Sequence, residues 1–419
     1  MGLILCLLSL VLWYFSPADL FPTLAPYHIQ QMILFPAVAI SALSFVMRSG
    51  ALQSPQDYLM IGLWFAIVMS TLSKLMFHAS LNAFTEFSVV VCMYFLIKVN
   101  VFTAWRIRLF CGVMAACGVV MALQGILAYH TGFMGDQLIY EHMGEGFKIY
   151  RRIRAFGVLS DPNDFGQFLV VCIALMGAFY RKNNIVTNLI ALGVPAAIML
   201  YATYLTGSRG TVLGLAAIAF GLVSSRFGTL QSFLLAAVMV FLMFAMQFGG
   251  GREISLQEGR VMAWGTGIGL LKTNPVFGVG YKHFEEHSDL TAHNSFVLCF
   301  AELGLFGYFF WLALIMTALL SLHRMAGIAV KSSEDPALAG LVTSLRSALL
   351  GFLVTGWFLS RTYNATLFVL VALVAALVQI RLQNDPKLDI SPSRWIQATA
   401  AFQFVSVILI YATVRLRSF

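Results

Sequence analysis

Charge is what this chain has least of. Asp, Glu, Lys and Arg make up only 11% of its 419 residues, whereas 60% are hydrophobic. A soluble domain carries roughly a quarter charged residues, so this composition excludes an ordinary soluble globule. The apolar runs are much longer than the strands of a membrane barrel, and lipid leaves unpaired backbone groups unsatisfied, so the runs must be helices. The sequence predicts an all-α, polytopic integral membrane protein.

The sequence also lacks paired cysteines and the pattern expected of a cleaved leader peptide. The six cysteines lie singly inside apolar runs, except that Cys111 and Cys117 share one, so they offer neither a disulfide framework nor paired metal ligands. The first segment has no basic leader and no small-residue cleavage site, which predicts a retained span. The net charge of +8 is explained by orientation in an anionic membrane. No nucleic acid is expected as a partner, because so little of the chain is soluble surface.

Hydropathy in windows of about twenty residues predicts about twelve spans. They are 2–16, 29–47, 57–75, 83–99, 108–130, 162–180, 185–205, 209–224, 229–247, 293–321, 338–359 and 364–380. A cytoplasmic N-terminus places the basic short loops inside, as the positive-inside rule requires. The segment 396–414 would put Arg415 and Arg417 outside if it crossed. Three placements therefore stay open for it: a thirteenth span, a helix on the membrane surface or a re-entrant segment.

Two long segments interrupt this pattern, and the predicted topology places both outside. They are 131–161 and 248–292, the first and the main periplasmic segments of a single transmembrane domain covering 1–419. Long loops can carry positive charge across a membrane against the rule, and these two are rich in it. An anionic ligand on the outer face is the simplest reason. Within the second segment, 261–271 is predicted to be a surface-lying amphipathic helix.

Arg209 is a candidate phosphate-binding residue. It lies in Ser208-Arg209-Gly210 at the predicted outer interface, where its side chain can reach water. Neighbouring glycines expose backbone N–H groups beside a guanidinium that can hold a phosphate in bidentate fashion. An arginine that only reaches for water is the alternative. Arg152 and Arg154, before the sixth span, could add phosphate or sugar contacts or could anchor the protein to lipid head groups.

His293 is the candidate catalytic base. It lies in Thr291-Ala292-His293-Asn294-Ser295, where a polar segment meets an apolar helix. A neutral imidazole can accept a proton from an attacking hydroxyl. Asn294 can cap the helix, and the helix dipole disfavours the protonated ring. A histidine at a helix end is otherwise commonly structural. Glu302, inside the same helix, needs a partner, and a structural ion pair is the simplest expectation.

Two short motifs could suggest a metal site, and neither is assigned as one. His283-Phe284-Glu285-Glu286-His287 has the order of a zinc peptidase motif, but it is a short acidic connection rather than a sustained helix. Asp161-Pro162-Asn163-Asp164 is typical of a helix N-terminus. The alternate glycines at 265, 267 and 269 lack the spacing of a nucleotide-binding motif. The sequence predicts no metal and no cofactor.

These motifs together resemble the O-antigen ligase and polymerase superfamily of bacterial envelope enzymes. His293-Asn294, nine residues, and Gly304-Leu305-Phe306-Gly307-Tyr308 fit the ligase signature without a gap. The other motifs in family order are Phe156-Gly157, Asp161-Pro162-Asn163, Ser208-Arg209-Gly210, Arg260 through Trp264, Asn274-Pro275 and Gly278-Val279-Gly280. The likeness covers about residues 150–310 by motif.

The resemblance implies a metal-independent GT-C-like glycosyltransferase in the bacterial inner membrane, with its active site facing the periplasm. It would transfer a glycan from an undecaprenyl diphosphate carrier to lipid A-core, so carrier, acceptor and membrane lipids are the expected partners. By this likeness His293 matches the general base, and Arg209 and Arg260 match the arginines that hold the diphosphate. Further candidate substrate-binding residues are Arg152, Arg154, Ser208, Tyr281 and Asn294.

Three alternatives remain open. A polymerase that uses a second carrier-linked glycan as acceptor shares the donor site, and so does a protein O-glycosylating ligase; the complete signature ending in tyrosine favours the lipid A-core ligase. A flippase for lipid-linked glycans should show internal repeats, interrupted helices and charge deep in the core. The sequence has no convincing repeat, and its charges gather on one side. Convergence of Arg209, Arg260 and His293 on one outward cavity would favour an enzyme.

Overall fold

The computed structural model describes residues 1–27, 29–46, 54–143, 149–227, 230–231, 234–239, 254–332, 336–382 and 391–417. In these ranges the regular structure is helical, apart from one antiparallel hairpin. The predicted all-α polytopic class is therefore confirmed. The chain forms two compact units. The first unit comprises Met1–Phe45, Asn100–Arg252 and Leu322–Thr355, and the second comprises Val46–Val99, Glu253–Ser321 and Gly356–Phe419.

The described part of the chain contains sixteen α-helices and two strands. The helices are α1 (Gly2–Phe15), α2 (Pro17–Leu20), α3 (Ile29–Val46), α4 (Pro55–Leu72), α5 (Phe77–Asn100), α6 (Ala104–Thr131), α7 (Gly135–Leu138), α8 (Pro162–Met176), α9 (Ile185–Asn188), α10 (Val194–Thr206), α11 (Arg209–Phe227), α12 (Ile254–Thr273), α13 (Ser295–Ser332), α14 (Pro336–Gly356), α15 (Ala365–Leu382) and α16 (Pro392–Arg417). The strands are β1 (Ile139–Met143) and β2 (Ile149–Ile153). A π-helical turn, Leu189–Gly193, joins α9 to α10.

Nine helices within the described part of the chain are long and apolar enough to cross a membrane. They are Gly2–Asp19, Phe77–Asn100, Ala104–Thr131, Pro162–Phe179, Ile185–Thr206, Ser295–Gly327, Ala337–Gly356, Ala365–Leu382 and Pro392–Leu416. Shorter apolar helices occupy two more predicted spans, at Ile29–Ser41 and Arg209–Leu222. The predicted span 57–75 is helix α4, which is not among the nine, and the span 229–247 lies largely outside the described residues.

The first unit is centred on α8, which packs against α6, α10 and α11. Small residues let these helices approach closely. A Cβ on Gly118 of α6 would lie 2.9 Å from Cys172 Sγ, and Gly166 of α8 lies directly against Thr211 of α11. This packing brings the N-termini of α8 and α11 to the same end of the unit, beside β2, which contacts α6 and α10.

The segment 131–161, predicted as the first periplasmic segment of an all-α protein, contains the β1–β2 hairpin. Glu141 pairs with Arg151 and Tyr140 with Arg152 in its register. Successive side chains of a strand point to opposite faces, so Arg151 is exposed whereas Arg152 is half-buried. Residues 144–148 of this segment lie outside the described residues.

Helix α15 belongs to the second unit, and its residues from Ala365 to Val378 are all buried. A polar cluster is buried where α4 and α5 meet. Lys98 forms an ion pair with Asp57, whose second oxygen accepts a hydrogen bond of 2.9 Å from the Tyr94 hydroxyl. Lys98 also donates to Ser54 Oγ at 2.8 Å. Ser54 and Asp57 together form a capping box, so the ion pair is tied to the start of α4.

Candidate functional site

His293 lies at the start of α13, in the second unit, with a backbone φ of +46°. This left-handed conformation is uncommon for a residue other than glycine, although histidine, like asparagine and aspartate, adopts it more often than most residues do. Its N–H donates to Ser360 Oγ at 2.7 Å, and its side chain is half-buried. The next residue, Asn294, caps the helix, because its Oδ1 accepts the N–H groups of Phe296 and Val297 at 2.9 and 3.1 Å. Buried Asn294 is therefore committed to the helix start.

A second segment lies against His293, and sequence reasoning missed it. It is the connection between α14 and α15, from Leu359 to Tyr363, called here the 359–363 loop. Ser295 Oγ donates to the Leu359 carbonyl at 2.6 Å and accepts the N–H of Arg361 at 2.9 Å. The Thr362 hydroxyl donates to the Ser295 carbonyl at 2.7 Å. An arginine in a short loop on the predicted outer side, against the positive-inside rule, was the signal that could have found this loop.

Helix α12 contacts the segment that carries His293 through Trp264. The indole Nε1 donates to the carbonyl of Ala292, the residue before His293, at 2.9 Å. Arg260 precedes Trp264 by four residues, so the two share one face of α12. The described helix spans Ile254–Thr273, which includes the predicted 261–271. Arg260 therefore lies about one helical turn from Trp264, whose side chain is hydrogen-bonded to the residue before His293.

A backbone junction explains two of the glycine motifs. Gly304 interrupts α13 with φ 63° and ψ −170°. The turn Gly278-Val279-Gly280, called here the glycine turn, lies against this break. The N–H groups of Val279 and Gly280 donate to the carbonyls of Ala301 and Glu302, both at 3.0 Å. In return, the N–H groups of Leu305 and Phe306 donate to Pro275 and Val276 at 2.8 and 3.1 Å. The turn after α12 is therefore joined to the break in α13 by four hydrogen bonds.

Glu302 is the buried carboxylate beside this junction, with 2% of its surface exposed. The ion pair expected for it is replaced, within the described residues, by other partners. Its carboxylate accepts a hydrogen bond of 2.7 Å from the Tyr363 hydroxyl and one of 3.2 Å from the Phe284 N–H. Glu302 therefore connects α13, the 359–363 loop and the segment after the glycine turn.

Tyr281 contributes to the same network. Its ring packs edge to face on Tyr363, with 4.6 Å between the centroids, and its N–H donates to Ser70 Oγ at 3.0 Å. Burial first, then the nearby carboxylates of Glu86 and Glu302, raise the pKa of Tyr281. The hydroxyl therefore stays protonated. The contacts give Tyr281 a packing role, and its predicted role in substrate binding remains a prediction.

His283 and His287 do not lie on a sustained helix. Phe284–Glu286 forms a 3₁₀ turn, and His283 Nδ1 lies 2.7 Å from the Tyr281 carbonyl. The second histidine of the motif, His287, is exposed. This geometry differs from the sustained helix that the zinc peptidase motif requires.

Arg209 begins α11 in the first unit, directly after the left-handed Gly207 and the buried Ser208. Ser208 Oγ lies 3.4 Å from the Thr211 N–H, so it is oriented as a cap. The positive end of a helix dipole favours an anion, and Arg209 is half-buried at this helix start. Its convergence with Arg260 and His293 remains a prediction, because Arg209 belongs to the first unit and the other two to the second.

Arg152 supports the turn that carries Arg209. Its Nε donates to the Thr206 carbonyl at 2.6 Å and its Nη2 donates to Asn163 Oδ1 at 2.8 Å. Burial lowers the pKa of its guanidinium, an effect opposed by the charge of Asp161. The predicted substrate contact of Arg152 thus competes with a bridge between the α10–α11 turn and the start of α8.

Arg154 is also tied to the backbone. Its Nε donates to the carbonyl of Gln137 at 2.8 Å and its Nη2 donates to that of Asp136 at 3.2 Å. Both carbonyls belong to the short helix α7, so Arg154 holds α7 against the end of β2. A substrate role for Arg154 remains a prediction.

Comparison with protein-family models matches residues 194–312 to O-antigen ligase. This segment is similar to the domain of O-antigen ligases. It runs from α10 into α13 and contains Arg209, Arg260, His293 and the signature Gly304–Tyr308, so the resemblance to that superfamily is confirmed. No curated protein matches the chain. Members of the family are glycan ligases and polymerases, and with its many apolar helices the ligase-domain protein is a multi-pass membrane protein.

Proposed function

We propose that the protein is a glycosyltransferase that joins a finished glycan to lipid A-core at the periplasmic face of the bacterial inner membrane. The donor is the glycan on an undecaprenyl diphosphate carrier, and no metal or cofactor takes part. One observation carries this proposal. The matched ligase domain contains Arg260 and His293, and the second unit brings their two segments together through Trp264 and Ala292.

The chemistry needs charge stabilisation and a base. The bond between the anomeric carbon and the diphosphate oxygen breaks, and the carrier diphosphate departs with the electron pair. Arg209 and Arg260 stabilise the charge that develops on it. The neutral imidazole of His293 accepts the proton of the acceptor hydroxyl, whose oxygen attacks the opposite face of the anomeric carbon. This in-line displacement inverts the anomeric centre, and no strong general acid is needed because diphosphate is already a good leaving group.

The identity of the acceptor is the most specific claim of the proposal, and one reconstitution experiment distinguishes the possible acceptors. Purified protein in vesicles receives the carrier-linked glycan, with lipid A-core in one sample and without it in another. Glycan attached to lipid A-core is the expected product. A ladder of longer glycans on the carrier would identify a polymerase, and glycan on an added protein would identify a protein ligase. Movement of the intact donor across the bilayer without any product would identify a flippase.

The same assay tests the base. We expect His293→Ala to lower kcat by about 10²- to 10⁴-fold, because the acceptor hydroxyl loses its proton acceptor. His287→Ala is the matched control, since it removes an exposed imidazole from the same segment. Wild-type turnover by the His293→Ala protein would refute the base assignment.

The arginines are tested by conservative substitution. Arg209→Lys and Arg260→Lys keep a charge but lose the bidentate grip on a phosphate. Each should lower kcat/KM for the donor by roughly 10- to 100-fold, the equivalent of one charge-assisted hydrogen bond. Arg394→Lys, at the exposed start of α16, is the control. Wild-type kinetics in either variant would remove that arginine from the diphosphate site.

A further inference from the structure

The conformation of His293 has to be held in place. A φ of +46° is disfavoured for a residue with a Cβ, and it fixes the direction in which the imidazole leaves the backbone. Such a conformation persists only where the surroundings impose it. The next residue, Asn294, caps α13, so the left-handed conformation lies at the position that carries the imidazole.

Ser360 is the contact made by the backbone of His293 itself. Its Oγ accepts the His293 N–H at 2.7 Å and the Thr291 hydroxyl at 2.8 Å. The neighbouring bonds of the 359–363 loop go instead to Ser295, and Trp264 holds Ala292. The two residues next to His293 in the sequence are therefore held through Trp264 and through the cap of α13, whereas Ser360 binds the backbone of His293 itself and the side chain of Thr291.

We propose that Ser360 is a positioning residue for the general base. Its hydroxyl holds the backbone of His293 in the left-handed conformation and so aims the imidazole at the acceptor hydroxyl. This inference rests on the proposed function, because it assigns a role within that same site. It predicts that removing the hydroxyl slows the proton transfer step without altering how the donor is held.

The test separates positioning from a general loss of structure. Kinetics are measured for wild type, Ser360→Ala, Ser360→Thr and Ser80→Ala in the same vesicles. Ser80 is a buried serine of α5 whose hydroxyl donates to the Met76 carbonyl at 2.9 Å, so its loss is a comparable loss of one hydrogen bond. Thermal unfolding of each purified variant shows whether it is folded.

Ser360→Ala should lower kcat by about 10- to 100-fold, the effect of a small misplacement of a catalytic group. The KM for the carrier-linked glycan should stay within about twofold, because the groups that hold the diphosphate are untouched. Ser360→Thr keeps the hydroxyl and should recover most of the kcat. Unchanged kcat in Ser360→Ala, a raised KM alone, or an equal loss in Ser80→Ala and Ser360→Ala would overturn the inference.

A double variant links the effect to the base. In the His293→Ala background, Ser360→Ala should cause no further loss, since no imidazole remains to be aimed. A further loss as large as in wild type would show that Ser360 acts independently, which would refute positioning. If wild-type protein makes no transfer product, the proposed function itself fails, and the inference fails with it. Normal transfer together with an unaffected Ser360→Ala protein refutes the inference alone.

Discussion

Gly278 and Gly304 lie backbone against backbone, so that a Cβ on either would come within 2.6 Å of the nitrogen of the other. Both have positive φ, 70° and 63°. Two independent constraints thus require glycine at each position, one from space and one from backbone conformation. The Gly-x-x-Gly-Tyr signature and the Gly-Val-Gly turn are two halves of one joint.

Replacing either glycine with alanine should open this joint. We expect Gly278→Ala and Gly304→Ala each to lower the midpoint of thermal unfolding clearly and to reduce transfer, because the added methyl meets backbone that has nowhere to move. Differential scanning fluorimetry and the transfer assay measure the two effects. Gly269→Ala is the matched control, since a Cβ there meets nothing within 4 Å and the site is helical. Equal melting of all four proteins would contradict this explanation.

Arg152 is expected to act through the turn before Arg209. Arg152→Lys cannot donate to both the Thr206 carbonyl and Asn163, so the turn loosens and donor affinity should fall by roughly 10-fold, about one charged hydrogen bond. Arg151→Lys, at the neighbouring exposed position, should leave affinity unchanged. Binding of undecaprenyl diphosphate to the two proteins in vesicles decides between them. Equal affinities would show that the bridge has no effect on the donor site.

We expect the hydrogen bond between Glu302 and Tyr363 to contribute to the free energy of unfolding. Tyr363→Phe leaves the buried carboxylate of Glu302 without one partner, which should cost about 1–3 kcal/mol of unfolding free energy. Tyr27→Phe removes an exposed hydroxyl and should cost almost nothing. Denaturant unfolding of both variants in detergent provides the comparison. A Tyr363→Phe protein as stable as wild type would mean that the hydrogen bond to Glu302 contributes no net stability.

The ion pair of Asp57 and Lys98 should behave as a buried pair. Asp57→Asn leaves the ammonium of Lys98 uncompensated, and we expect a loss of about 3–5 kcal/mol. Combining it with Lys98→Met should recover part of the loss, because no buried charge remains. The exposed pair of Arg151 and Glu141 is the control, and Glu141→Gln should cost less than about 1 kcal/mol. If the double variant were less stable than Asp57→Asn alone, the argument from an uncompensated charge would fail.

Much of the fold could be predicted because long apolar runs have one solution in lipid. Hydropathy predicted the apolar helices that are long enough to cross a membrane, and the segment 396–414, which the charge rule left open, lies in one of them. The order of the motifs gave the superfamily. Hydropathy is local information, however, and it carries nothing about which polar side chain meets which. The β1–β2 hairpin was not predicted for a related reason: in a short strand among charged residues the alternation of apolar and polar side chains is weak.

The rest of the site depends on contacts between distant parts of the chain. Ser360 and His293 are far apart in sequence, and no spacing rule connects them. The same holds for Tyr363 and Glu302, where an ion pair was expected and a tyrosine supplies the proton donor instead. The left-handed backbone at His293 has only a weak sequence signal, because histidine adopts this conformation more often than most residues but far less readily than glycine. The meeting of Arg209 with the other two site residues stays a prediction.

The junction at Gly278 and Gly304 has an architectural consequence. Gly280 and Glu302 are hydrogen-bonded to each other, so the chain between them leaves and returns at one place. Closing a longer loop between fixed ends costs only slightly more entropy than closing a short one. Residues inserted next to the exposed Glu285 and Glu286 can therefore lengthen this segment without moving Gly280 or Glu302. For the glycosyltransferase proposed above, such insertions would change the surface near the acceptor while the hydrogen bond between Gly280 and Glu302 is kept.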